Sequence, residues 1–87
     1  MNKDLPEAAL SGLTVLDFTR VIAGPFLTQM LADMGADVIK VEAPGVGDDM
    51  RHYRPTGWTK DAPGFVGLNR NKRSIEIDIT SEAGRSV

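Results

Sequence analysis

The hydrophobic and polar positions of this chain follow three rhythms. Leu13-Thr14-Val15-Leu16-Asp17-Phe18 is a short, mostly apolar run. It predicts a largely buried strand, of the kind that parallel sheets cover on both faces. After Gly24-Pro25 the spacing changes. Phe26, Leu27, Met30, Leu31 and Met34 recur with a helical period and predict one apolar stripe facing a core. Pro25 suits the first helical position, where its missing N–H costs little. Gly35 suits the left-handed residue that ends such helices. Val38 to Glu42 predicts a second strand. Strand, helix and strand fit into about 30 residues, the size of a βαβ unit, so the two strands should be parallel.

Ala43 to Gly64 has another character. Pro44, Gly45, Gly47, Pro55, Gly57 and Pro63 interrupt it, with Asp48, Asp49, Arg51, His52 and Arg54 between. A loop this long in a compact domain is usually functional or disordered. Phe65 to Arg70 predicts a short helix. Ser74-Ile75-Glu76-Ile77-Asp78-Ile79 alternates strictly and predicts a third strand with one wetter face. Thr80 or Ser81 then caps a following helix, with Glu82 in its first turn. The fold class is α/β, in the order β-α-β-loop-β-(α). Residues 1–9 read as a flexible leader and residues 10–87 as the folded part. Glu82 to Val87 follows a strand without a capping Gly or polar tail, so an N-terminal fragment is expected.

Composition narrows the function. The 87 residues are 41% hydrophobic and 25% charged, enough for one small domain or part of a larger one. Ten Lys and Arg against twelve Asp and Glu give a net charge of -2. That lacks the basic excess of a nucleic-acid binder. Zero Cys excludes a disulfide scaffold, a thiolate zinc site and a Cys nucleophile. A single His, His52, excludes a multi-His metal site, so no metal is expected. No apolar run approaches the roughly 20 residues of a membrane span, and the polar N-terminus is unlike a signal peptide. A cytoplasmic setting without membrane partners is expected.

The candidate chemistry is sparse. In an open α/β sheet, ligands bind beyond the carboxyl ends of the strands, here at the turn Thr19 to Pro25. Only Gly24 stands where a G-x-G-x-x-G fingerprint needs three glycines, which disfavours a NAD-type site. Gly45-x-Gly47 lacks the Gly-Lys-Ser/Thr of a P-loop. Glu42 sits where a ribose-binding acid would sit, but a lone strand-end charge reads as solvated. Arg70, Lys72 and Arg73 place three cations in four residues, either for an anion or as a solvated loop. His52 has no visible partner and reads as a surface residue. Asp17 reads as a strand-end carboxylate satisfied by neighbouring backbone N–H groups. Trp58 covers either the core or a ligand. These features give a ligand edge near residues 19 to 25, and no reaction.

Read in order, the segments resemble a family. Leu10 to Phe18 is followed by Ala23-Gly24-Pro25, then by Leu31-Ala32-Asp33-Met34-Gly35-Ala36-Asp37-Val38-Ile39-Lys40-Val41-Glu42. Pro44-x-x-Gly47-Asp48 and Asn69-x-Asn71-Lys72-Arg73-Ser74-Ile75-x-Ile77-Asp78 complete the set. The run is similar to the N-terminus of the class III CoA-transferases, a group that includes formyl-CoA:oxalate and carnitine CoA-transferases and α-methylacyl-CoA racemase.

The resemblance implies the N-terminal part of a Rossmann-like, mostly parallel sheet domain that binds coenzyme A, in an interlocked homodimer. Acyl-CoA and carboxylic acids are the implied substrates, with no permanently bound cofactor. A catalytic Asp would carry the acyl group as a mixed anhydride and then form an aspartyl-CoA thioester. That Asp is implied downstream of Val87, so no residue here takes its role, and the 87 residues alone should be inactive. By alignment, Arg20, Val21, Ile22 and Ala23 would lie beside CoA, and Ile77, Asp78, Ile79 and Thr80 would line its adenine side. Ala43 aligns with a position that is often Arg and pairs with the CoA phosphates. Here that contact would be lost or moved to Lys40, Arg51 or another cation. Arg20 stands where formyl-CoA transferases tend to carry His, a departure that speaks against formyl-CoA as donor. Two alternatives stay open: an acyl-CoA racemase of the same family, and a non-catalytic CoA-binding module or inactive remnant.

Overall fold

The computed structural model describes residues 7–87. Of the leader expected over residues 1–9, residues 1–6 therefore lie outside the described part. Strand β1 (Thr14–Asp17) leads into helix α1 (Ala23–Asp33) and strand β2 (Asp37–Glu42). The loop that follows contains one 3-10 turn, Asp49–His52. Helix α2 (Pro63–Leu68), strand β3 (Lys72–Glu76) and a final turn of helix, α3 (Glu82–Arg85), complete the chain. The strands lie in the order β1-β2-β3 and both pairs are parallel. The α/β class and the parallel βαβ unit are as the sequence predicts.

Local chemistry sets the ends of these elements. Gly35, at φ 104, follows the C-cap Met34. Its N–H bonds the Ala32 carbonyl, and the Ala36 N–H bonds that of Leu31, the pairing that closes a helix on a left-handed glycine. Ser81 caps α3 by accepting the Gly84 N–H at 2.9 Å. Several boundaries differ from expectation; α2, for one, covers Pro63–Leu68 rather than Phe65 to Arg70. Helix α1 starts at Ala23, so Pro25 is its third residue; there too an N–H would lack an intrahelical partner. Strand β3 runs over Lys72–Glu76 rather than Ser74 to Ile79. Its pairing with β2 ends with Glu42 opposite Glu76; the Ile77 N–H still bonds the Glu42 carbonyl at 3.0 Å, and the chain leaves the sheet after it.

The core is small and is not where the apolar stripe points. Ala32, Ala36 and Val38 form its centre, with Leu10, Val15 and Leu31 against it. Helix α1 buries Pro25, Thr28, Gln29 and Ala32, while Phe26, Leu27, Met30 and Met34 are exposed. The reason is the polar content of the sheet face beneath. Parallel register aligns Asp17 with Lys40 and Val38 with Lys72, which puts Asp17, Val38, Lys40, Glu42, Lys72 and Ser74 on the face toward α1. Buried charges require polar partners, and Thr28 supplies one to Asp17. The opposite sheet face carries Leu16 and Ile75, both exposed. Strand β1 is thus not the largely buried strand expected: Leu16 keeps 63% of its surface in solvent.

Candidate functional site

A cavity of about 240 Å³ opens at the carboxyl edge of the sheet. That is the edge where parallel α/β sheets place their ligands. Phe18, Thr19 and Arg20 come from the turn after β1, and Lys40 to Pro44 from the end of β2. Val46 to Asp48 come from the long loop, and Ile77 to Thr80 from the segment after β3. Three strand ends thus contribute. Of the nine residues expected at the site, Arg20, Ala43, Ile77, Asp78, Ile79 and Thr80 line this cavity. Val21, Ile22 and Ala23 do not. Ile22 is exposed, Ala23 opens α1, and Val21 sends its N–H to Asp48.

Beneath the cavity lies a continuous ionic network. Asp17 is 1% exposed. It accepts the Thr19 N–H at 2.8 Å, the Thr28 hydroxyl at 2.7 Å and the Lys72 ammonium at 3.0 Å. Burial pulls its pKa upward. The hydrogen bonds from Thr19, Thr28 and Lys72 outweigh this and lower it from 3.8 to about 2. Lys72 also bonds the Pro25 carbonyl and Asn69 Oδ1. Burial drives its pKa down, against the attraction of Asp17. Asp17 is therefore held mostly by side chains rather than by backbone N–H groups. Lys72 is a buried partner rather than part of a solvated cluster. Arg70 and Arg73 pair at the surface with Asp33 and Asp37.

Glu42 corrects the reading of a solvated strand-end acid. It is buried and accepts Arg51 through both oxygens, each at 2.7 Å. Ser74 Oγ and the Asp48 N–H also donate to it. The Arg51 hydrogen bonds are the main cause of its pKa falling from 4.5 to about 2. Arg51 continues to Asp61 at 2.5 Å, and its guanidinium lies 3.9 Å from the centre of the Phe65 ring. Lys40 joins Asp48 at 2.8 Å. Burial raises the Asp48 pKa, and the bonds from Lys40, Met50 and Val21 reverse this, leaving it below its ordinary 3.8.

The cations therefore divide. Lys40 and Arg51, expected to replace the missing arginine at Ala43, are already paired with buried acids. Arg20 is different: its pairing with Asp49 at 2.7 Å is solvent-exposed, and exposed pairs hold weakly. Among the cavity walls it is the cation freest to turn to an anion. Asp78 Oδ1 accepts the Thr80 N–H at 3.0 Å and the Thr80 hydroxyl, so its carboxylate is fixed at the opposite wall. His52 is exposed with Nε2 2.9 Å from the Val46 carbonyl. Trp58 donates to the Asp61 carbonyl and covers neither core nor cavity. No group of three or more metal-ligating side chains occurs among the described residues. No helix there is long and apolar enough to cross a membrane. Sequence reasoning overlooked Lys40 and Asp48 as a pair. The signal was the juxtaposition of a lysine inside an apolar strand with an aspartate in the Gly47-Asp48 turn.

Comparison with known proteins places the chain in a family. Residues 10–87 match the model of CoA-transferase family III. The chain is 49% identical over 75 residues to mouse succinyl-CoA:glutarate CoA-transferase, covering 86% of this chain and 17% of that protein. It is 54% identical over 78 residues to formyl-CoA:oxalate CoA-transferase of Escherichia coli, covering 90% of this chain and 19% of that protein. Among solved structures, a CaiB/BaiF family protein from Brucella suis superposes with a TM-score of 0.84 at 44% identity. That match covers 93% of this chain and 22% of the Brucella protein. The chain thus spans about a fifth of the length of these relatives.

Proposed function

The chain belongs to CoA-transferase family III, and on that premise we propose that its cavity binds the nucleotide end of coenzyme A for a transferase that moves CoA between carboxylic acids. The observation that carries the reading is the cavity itself. It joins three strand ends of a parallel sheet, and its walls include Arg20, Ala43 and Ile77 to Thr80. Ile77 and Ile79 offer apolar surface for a base, and Asp78 offers an acceptor for base or ribose donors. Arg20 offers the cation for a phosphate once it leaves Asp49. The network of Asp17, Lys40, Glu42 and Asp48 fixes the walls and takes no part in the chemistry.

The reaction proposed for the whole protein is covalent. A carboxylate attacks the acyl-CoA carbonyl and expels the CoA thiolate, leaving a mixed anhydride. The thiolate then attacks the enzyme carbonyl of that anhydride and releases the first carboxylic acid. The aspartyl-CoA thioester left behind passes CoA to the acceptor acid by the same two steps in reverse. None of the 87 residues is assigned as that nucleophile. Arg20 and Ala43 belong to binding, in a cytoplasmic homodimer.

The test uses the native full-length protein. It is incubated with acyl-CoA, without acceptor, and its intact mass is measured. The expected result is a covalent adduct equal to a CoA thioester, removed by hydroxylamine. Exchange of the α-hydrogen of the acyl group without any adduct would replace the transferase with a racemase. Neither adduct nor exchange, with CoA still bound, would leave a binding module.

A further inference from the structure

We propose that the buried Lys40–Asp48 pair is a positioning device that holds Val21 in a left-handed conformation and so shapes the turn over the cavity. The effect on ligand binding rests on the CoA reading above.

Val21 has φ 72. A β-branched side chain is a true outlier there, and such strain persists only where the surroundings over-determine it. Here the surroundings are specific. Asp48 is 1% exposed, and its two oxygens lie 3.1 and 3.3 Å from the Val21 nitrogen. Lys40, also 1% exposed, binds Asp48 at 2.8 Å and the Thr19 carbonyl at 2.9 Å. One buried ion pair therefore grips the backbone on both sides of Arg20, by the carbonyl before it and the amide after it. Thr19 and Arg20 are cavity walls. The turn has no slack, because a Cβ on Gly24 would collide with the Thr19 side chain. Asp48 also accepts the Met50 N–H at 2.9 Å and donates its own N–H to Glu42 at 2.9 Å. The turn after β1, the end of β2 and the long loop thus meet at one carboxylate.

An ion pair that only stabilised the fold would not need a strained residue at the end of its hydrogen bond. With Asp48 removed, Val21 relaxes to negative φ, the peptide between Arg20 and Val21 rotates, and Arg20 leaves the wall. Glycine populates positive φ without penalty, so Val21→Gly lets the turn regain its shape when Asp48 is gone.

The experiment uses the native full-length protein, with CoA affinity read by calorimetry. Asp48→Ala is expected to weaken CoA binding about tenfold or more, and Val21→Gly added to it to recover most of that loss. A folded Asp48→Ala with wild-type affinity, or a double variant no tighter than the single, would overturn the proposal. Should Asp48→Ala not fold, Asp48→Asn, which keeps an acceptor for Val21, gives the same comparison with a smaller loss. A second readout needs no ligand and separates this proposal from the CoA reading. Val21→Gly should raise the urea midpoint of the wild type, where strain is relieved, and fail to raise that of Asp48→Ala or Asp48→Asn. An equal rise in both backgrounds would show that Asp48 does not hold the strain. Absence of CoA binding in the wild type, with the urea pattern as expected, would remove the CoA reading and leave the positioning device standing.

Discussion

Asp17 and Glu42 each carry a full negative charge out of water, and each is matched by a cation and neutral donors. Linkage turns this into a pH dependence. Both folded carboxyls sit at about 2, below unfolded values of 3.8 and 4.5. The unfolded chain therefore binds protons first as pH falls. The stabilisation is present above 4.5 and is lost as pH drops from there toward 2. Urea midpoints measured down this range should fall steadily, and Glu42→Gln should flatten part of the slope. A stability flat across the window would contradict the pairing. These pairings were barely legible in the sequence. Arg51 meets Glu42 across nine residues of irregular loop, and no periodicity encodes that path. Lys72 meets Asp17 across 55 residues, through a register that only the assembled sheet defines.

At the scale of elements, what was legible was local. The apolar run, the helical spacing and Gly35 located β1, α1 and the end of α1, because each rests on neighbouring residues. The face that α1 turns to the sheet was not legible. A stripe of Phe26, Leu27, Met30 and Met34 predicts an inward face, but the buried Asp17 on β1 draws Thr28 inward instead, and Gln29 is buried next to it. The site shows the same division. Residues 77–80, which the resemblance implied at the adenine side of CoA, line the cavity and continue past β3 as irregular chain. Helix α3 backs that wall. A Cβ on Gly84 would fall on the Asp78 carbonyl. Gly84→Ala must therefore push α3 away from the wall, at a cost of about 1–3 kcal/mol for an overpacked contact. Urea denaturation should read that loss, with CoA binding weakened in parallel. Unchanged stability and affinity would show that the wall does not depend on α3.

For the whole molecule, the described residues leave two apolar surfaces uncovered. One is the outer stripe of α1, and the other is the sheet face that carries Leu16 and Ile75. Parallel sheets are ordinarily covered on both faces, and exposed apolar patches mark surfaces of contact. The matched relatives are about five times longer than this chain, as the coverage of 17% and 19% requires. The cavity lies at the end of the sheet where ligands are expected, with walls from the ends of all three strands. If this cavity takes coenzyme A, filling it must weaken binding. The most direct measurement is the CoA dissociation constant of the native full-length protein, by calorimetry, for the wild type and for Ala43→Trp, whose indole would fill the cavity at the end of β2. Clear binding by the wild type and a loss of about tenfold or more in the variant are expected. Equal affinity in the two, with both proteins folded, would contradict it and move the CoA site elsewhere.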